Sequence, residues 1–497
     1  MMNSKNSSAT SFKNSDPRTI CQTFSYQTRL LECGENFSIL ENYASMYGQI
    51  ERFLLEDLKL HDLNVLKQSY LVRHGITARQ FNAIRVSLEG KIESAKQCLI
   101  ANIAQLKEKV ETLSKKLPKI KKPLVKHEKK RKLVRMQDKL KLIEENLKND
   151  KISICFGGKK LFHAQFSLEE NGYASHEEWL ADWQAARNSE FFCLGSKDET
   201  SGNQSCVATI DEGGKITLRL RLPNALVKKH GKYVIFSDVF FAYGHKEILQ
   251  ALISSQAVSY RFKKDEKGWR VFASCKQKSA PIVTNQERGA IGIDINANHI
   301  ALVEIDHNGN PIYKETIPLN TYGKTKNQAK ALIGDACKKI VILAKEKNKP
   351  IVLEQLDFTK KKTALKEGTL KYARMLSSFS YSSIVQGITF KAFREGVAVF
   401  FVNPAMTSII GKIKFAMRYG MSHHHAAALC IARRYYRFSE APSKSPMKVC
   451  YRNIHVTCPS PVRKRGQHVW KWWKEAMRKL QTVLAELRRA NRSPCPH

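Results

Sequence analysis

The stretch Ile291-Gly292-Ile293-Asp294-Ile295-Asn296 sets an ionisable side chain in the middle of a β-branched run. Isoleucines on both sides of the aspartate favour a strand there. A second run, Ile300-Ala301-Leu302-Val303-Glu304-Ile305, follows after a turn and completes a strand pair. Burying the Asp294 carboxylate is costly unless a cation or hydrogen bonds replace its lost hydration. A strand aspartate so placed reads as a metal ligand. The alternative is a carboxylate at a strand end that caps the following turn.

Downstream the chain alternates strand and helix. A strand is predicted near 311–317 and a helix over 327–348, with Ala331, Leu332, Ala336, Ile340 and Leu343 on one face. The strand Pro350-Ile351-Val352-Leu353-Glu354 comes next, then a helix near 380–395, a strand over 397–402 and a helix near 422–436. This β-β-β-α-β-α-β-α order predicts an α/β domain over 285–440, a mixed sheet flanked by helices in the ribonuclease H (RuvC-like) arrangement. Glu354 ends its strand much as Asp294 sits within its own. Carboxylates on neighbouring strand tips can hold divalent ions about 4 Å apart that clamp attacking and leaving oxygens. Hard oxygen ligands favour Mg2+ or Mn2+ over zinc. A sugar-kinase or actin-like ATPase also carries a strand Asp, but it needs Gly-rich phosphate loops. After Asp294 the nearest candidate, Asp306-His307-Asn308-Gly309, reads as a hairpin turn.

Charge points to the partner. The 497 residues hold 84 Lys plus Arg against 45 Asp plus Glu, a formal net charge of +39. A polyanion explains that imbalance, because each neutralised phosphate releases counterions. The asymmetry is sharpest after Gln355, where 27 basic residues face six acidic ones. Twelve cysteines occur singly with no C-x-x-C pair, which argues against a zinc ribbon and a disulfide framework. The polar N-terminus has no signal-peptide core and no apolar run reaches about 18 residues. The expectation is a reduced, cytoplasmic, nucleoid-associated protein with no membrane partner and no zinc.

The N-terminal half divides by pattern. Residues 1–20 read as a disordered tail, rich in Ser, Asn and Lys. Residues 21–150 read as a basic helical lobe, helical from Thr23, ending in a hairpin broken at Pro118 and Pro123. The lysines around Lys126–Lys132 are either a solvated face or a phosphate-binding one. Residues 151–280 carry short strand runs, from Ile152–Phe156 to Trp269–Cys275, with a helical insert near 176–188; they predict a small β-barrel. Arg219, Arg221, Arg261 and Arg270 lie on these runs, facing either a nucleic-acid backbone or solvent. Residues 441–497 read as a basic C-terminal tail. In it, Arg463 to Trp473 interleaves cations with aromatics, as in single-strand binding, or forms an amphipathic helix packing on its own protein.

Gly292–Asn296 (GIDIN), Ile351–Phe358 (IVLEQLDF) and Asn403–Arg434 (NPAMTSIIGKIKFAMRYGMSHHHAAALCIARR) stand in the order found in TnpB. The chain resembles that family, the RNA-guided nucleases of insertion sequences, whose relatives are the type V CRISPR effectors. Ser259–Cys275 is similar to the strand pair that ends the family's RNA-holding wedge domain. The resemblance covers roughly 150–437. It implies a bilobed, transposon-associated protein that holds a guide RNA and pairs it to a DNA target, with base pairing supplying sequence choice. It implies metal-dependent DNA hydrolysis, with Asp294 and Glu354 as catalytic metal ligands.

Two departures bear on that activity. The family's zinc ribbon falls between its second and third carboxylates, yet no Cys lies between Glu354 and His423. The third carboxylate belongs where His423-His424-His425-Ala426-Ala427 stands, which puts His423 in its place, and no acidic residue occurs between Glu395 and Glu440. His423 is then a catalytic replacement, the mark of a nuclease-silent DNA-binding protein (a repressor or transposition accessory), or a helix-capping residue beside Ser422. The connector after Glu354, with Lys360, Lys361, Lys362 and Arg374, reads as a lid or strand guide for nucleic acid rather than a plain solvated loop; Arg261 is a further candidate nucleic-acid contact.

Overall fold

The structure, a computed structural model, describes residues 21–31, 34–61, 63–356, 378–438, 440–441, 446–451, 454–462, 466 and 468–490. Two compact units divide the chain, one spanning Cys21–Lys278 and the other the residues from Ser279 onward. The tail expected at 1–20 and the connector residues Lys360, Lys361, Lys362 and Arg374 lie outside the described residues.

In the first unit, Cys21–Arg29 is a strand, paired antiparallel along its length with Gly268–Lys278. The helix expected from Thr23 begins only at Asn36. Thr23, Phe24, Tyr26 and Thr28 are strand formers, and the distant partner supplies their backbone hydrogen bonds. The helices Asn36–Asp57, Leu63–His74, Ala78–Lys116 and Pro123–Lys148 follow. Thr77 and Gln80 close a capping box at the third, and Pro123 opens the fourth. The strands form a four-stranded and a three-stranded sheet. No strand pairing joins the two among the described residues, so the expected barrel is not closed. Ile152–Phe156 is irregular chain, not a strand: Gly157 and Gly158 take positive φ, and the Phe156 carbonyl accepts from Trp183 Nε1 at 3.2 Å. Helices and sheets share one core, with Tyr43, Tyr47 and Phe81 packed among Phe191, Phe262 and Trp269.

The second unit is built on one sheet. Its strands are β1 (Ala290–Ile295), β2 (His299–Ile305), β3 (Pro311–Pro318), β4 (Ile351–Glu354) and β5 (Val399–Val402), ordered β3-β2-β1-β4-β5. The first three are antiparallel, while β4 is parallel to β1 and to β5. Helices α1 (Lys326–Glu346) and α2 (Ser378–Glu395) cover one face, through Ile333, Ile340, Ile384 and Ile388 against Ile291, Ile293 and Leu353. Helix α3 (His423–Tyr435) covers the other, through Ala428, Leu429 and Ala432 against Ala290, Val303 and Val352. The expected alternation of strands and helices is therefore present. At its base, Lys349 Nζ donates to Glu304 Oε1 at 2.7 Å with both side chains buried.

The described residues after 441 do not form a tail. A hairpin, β6 (Met447–Tyr451) and β7 (Ile454–Cys458), and a helix, α4 (Val469–Ala490), join the α3-side core. Trp472 and Trp473 are buried there, their indoles donating to the Pro461 and Glu440 carbonyls at 2.7 and 2.9 Å. Rings so placed cannot stack on bases; of the two alternatives, the self-packing helix holds. No helix among the described residues is long and apolar enough to cross a membrane.

Candidate functional site

Parallel pairing of β4 with β1 sets Ile351 against Ile291 and Val352 against Gly292. The same offset carried two residues on brings Glu354 level with Asp294. Strand alternation gives Gly292 and Asp294 one face, with Val352 and Glu354 beside them. That face lies under α3. A Cβ on Gly292 would stand 2.1 Å from the Ala428 carbonyl oxygen and 2.8 Å from the Ala432 Cβ. The helix thus crosses β1 at the closest approach that a strand glycine permits. One turn back from Ala428 is His424, which this crossing carries over Asp294.

Gly292→Ala is accordingly expected to lower stability by about 1–3 kcal/mol, because backbone and a helical alanine must move. Urea unfolding reads the loss. The displaced helix also carries His424 away from Asp294.

Asp294 Oδ2 accepts from Asn296 Nδ2 at 2.9 Å and from His424 Nδ1 at 3.1 Å. These bonds offset part of the cost of holding the carboxylate at 14% side-chain exposure. Glu354 Oε1 accepts from Thr407 Oγ1 at 2.5 Å, and the Glu354 carbonyl from the Tyr381 hydroxyl at 2.6 Å. Burial, reinforced by the Glu354 and Asp294 carboxylates, raises the Tyr381 phenol well above its usual range. That phenol stays protonated and donates.

Three more histidines surround this pair. The His424 ring stands 4.0 Å from His423 and 4.7 Å from His299, centroid to centroid. Burial, then the neighbouring His424, lowers the pKa of both; Lys412 pushes His423 the same way. Both are therefore neutral near pH 7. His425 serves the fold: its Nε2 donates to the Glu315 carbonyl at 3.0 Å, and its Nδ1 lies 2.9 Å from Ser422 Oγ. Ser422 also caps α3, accepting from the His425 amide. Beyond β5, Arg434 holds Glu440 in a two-pronged ion pair and donates to the Ala405 carbonyl at 2.8 Å, fixing the loop that carries Thr407.

Asp294 and Glu354 are thus brought together, while His424 rather than His423 bonds the carboxylate. Arg261 lies in the other unit, its guanidinium 5.8 Å from the Phe192 ring. Asn296 stood within the leading motif, and its amide was a visible donor. Thr407 and Tyr381 carried no sequence signal, since only the fold brings them to Glu354.

The donor set fits a hard divalent ion. Two carboxylates stand level on one face, and Mg2+ commonly takes one or two carboxylates plus substrate oxygens. Among the described residues, no three His, Cys, Asp or Glu side chains form a metal-holding group. The oxygens of water and phosphate would have to complete the shell.

No family model and no curated protein matches this chain. Among solved structures it is similar to RuvC of T. thermophilus in complex with a Holliday junction substrate: 18% identity, 30% of this chain and 94% of that one, TM-score 0.23. It is also similar to Cas12i in a crRNA–dsDNA complex: 10% identity, 62% of this chain, TM-score 0.24. It spans about half, 52%, of that Cas12i chain. Likenesses at these scores are too low to carry a function, which falls to the residues of the site.

Proposed function

We propose that this chain is an RNA-guided DNA-targeting protein of the TnpB kind, whose second unit hydrolyses DNA phosphodiesters with Mg2+ or Mn2+. One observation carries the reading: Asp294 and Glu354 stand level on adjacent parallel strands, on the face crossed by α3. Asp294 and Glu354 would hold a divalent ion, which would supply positive charge to the oxygens that attack and leave phosphorus. The remaining work belongs to the chain. Asn296 and His424 fix the Asp294 carboxylate, Thr407 fixes Glu354, and the neutral His299 and His423 can accept a proton beside them. The net charge of +39 supports a nucleic-acid partner. The connector residues Lys360, Lys361, Lys362 and Arg374 are assigned to backbone phosphates, and Arg261 to nucleic acid held by the first unit.

The test begins with RNA. Sequencing of RNA that copurifies from native expression is expected to return a discrete structured species with a variable end. Reconstituted protein and RNA should then cut matching DNA in Mg2+. Heterogeneous RNA removable by salt would overturn the guided reading. His424→Ala is expected to slow cleavage by about 10–100-fold, because it frees the Asp294 carboxylate to turn. Metal titration of single-turnover rates checks this, through a higher half-saturating concentration.

A second reading, a nuclease-silent RNA-guided DNA-binding protein, is favoured by the absence of any acidic residue between Glu395 and Glu440. On that reading the same complex binds matched DNA and leaves it whole.

A further inference from the structure

The unit Cys21–Lys278 holds a cavity of about 880 Å3, remote in sequence from the strand carboxylates. Helix Ala78–Lys116, the irregular chain at 151–157, the start of helix Lys159–Ala164, the end of helix His176–Arg187 and the strands Glu190–Cys193 and Ser259–Asp265 wall it. Its charge is unbalanced. Lys91 is compensated, with Nζ 2.7 Å from Glu51 and 3.8 Å from Glu190. Lys151, Lys159, Arg187 and Arg261 also line it, and none makes an ion pair among the described residues.

Both arginines rest on aromatic rings. The Arg187 guanidinium lies 3.9 Å from the centre of the Trp183 ring, and that of Arg261 lies 5.8 Å from Phe192. A guanidinium anchored over a ring keeps donors for a phosphate and a planar face for a base. Arg187 Nε has no hydrogen-bond partner among the described residues, nor does Nη1 of neighbouring Arg52. Burial, then repulsion from Arg187, lowers the Arg52 pKa. Phe156 and Phe192 add apolar wall, while the Asn102 and Asn146 amides are suited to base edges.

We propose that this cavity binds a nucleoside phosphate, stacked at Arg187 and Arg261, with Lys151 and Lys159 on its phosphate. Cations alone would suit any anion; anchored guanidiniums and amides in one cavity suit a base bearing a phosphate. A free nucleotide and an unpaired nucleotide within a bound strand share this chemistry.

The full-length protein, stripped of nucleic acid in high salt, tests it. Two probes are used, a fluorescent AMP analogue and a labelled five-nucleotide RNA. Cys98 lines the cavity and is exposed, so maleimide labelling mapped by mass spectrometry reports occupancy directly. Binding is expected to slow Cys98 labelling. The paired change Arg187→Gln and Arg261→Gln should raise the Kd by about tenfold or more. Lys151→Gln with Lys159→Gln, both exposed and so harmless to folding, should raise it by about threefold or more. Lys330→Gln, exposed on α1 of the second unit, is expected to change neither readout. Protection by AMP identifies a free nucleotide as the source; protection by the oligomer alone identifies a nucleotide within a strand. If neither probe protects Cys98, or if both paired variants bind like the parent, the cavity is not a nucleotide site. None of these outcomes depends on whether the protein cuts DNA.

Discussion

Asp294→Ala is expected to reduce Mg2+-dependent DNA cleavage by on the order of 10³-fold or more, equivalent to roughly 4 kcal/mol of lost transition-state stabilisation. RNA binding should be unchanged. The size follows from position. Asp294 and Glu354 are the two carboxylates that the β1–β4 register sets level, and no acidic residue lies between Glu395 and Glu440, where a third would stand. Losing one halves the negative charge available to a cation. The change leaves the fold nearly intact, because it removes no apolar packing and both bonding partners can turn to other hydrogen bonds. His424 is one-third exposed. Asp294→Asn, which keeps the volume and removes the charge, should be equally inactive. Quantified cleavage of matched DNA, beside electrophoretic RNA binding, separates the outcomes. Cleavage that survives in Asp294→Ala would remove this residue from the site. A parent that binds matched DNA in Mg2+ and Mn2+ without cutting would instead support the silent reading.

What could be read from sequence was what depends on local pattern. Asp294 and Glu354 stood out because a carboxylate in an apolar strand conflicts with its surroundings, and such conflicts gather where function lies. The order of strands and helices after residue 289 was visible because each element carries its own periodicity. Cys21–Arg29 was missed because its partner, Gly268–Lys278, lies some 240 residues away, and nothing local announces that pairing. Whether Trp472 and Trp473 formed a stacking surface or part of a self-packing helix stayed open in the sequence, because a cation-flanked aromatic has the same composition in a core and on a groove. The choice between His423 and His424 turned on helix phase. That phase is set by the contact of Ala428 and Ala432 with Gly292, nearly 140 residues upstream. Gly292 sat in the leading motif, but its meaning required the helix above it.

Lys349→Ala is expected to destabilise the second unit by about 3–5 kcal/mol, measured by urea unfolding at neutral pH. Lys349 and Glu304 have side-chain exposures of 7% and 6%, and Lys349 Nζ also donates to the Ile305 carbonyl at 3.0 Å. Removing the ammonium leaves the Glu304 carboxylate in the sheet core, where losing one partner costs far more than the pair contributes. Lys347 Nζ, 3.9 Å from the other Glu304 oxygen and half-exposed, recovers little of that. The paired change Lys349→Met with Glu304→Leu removes both charges and keeps the volume. It should recover most of the loss, which separates an orphaned charge from lost packing. The consequence reaches the site through the register. Residue 349 precedes Pro350, whose carbonyl accepts from the Ile291 amide at 2.9 Å and begins the β4–β1 pairing. A unit loosened there holds Glu354 less firmly beside Asp294, so Lys349→Ala should also lose cleavage below its unfolding transition, and Lys349→Met with Glu304→Leu should regain it. Full stability loss with cleavage unchanged in the folded fraction would separate this ion pair from the register that aligns the carboxylates.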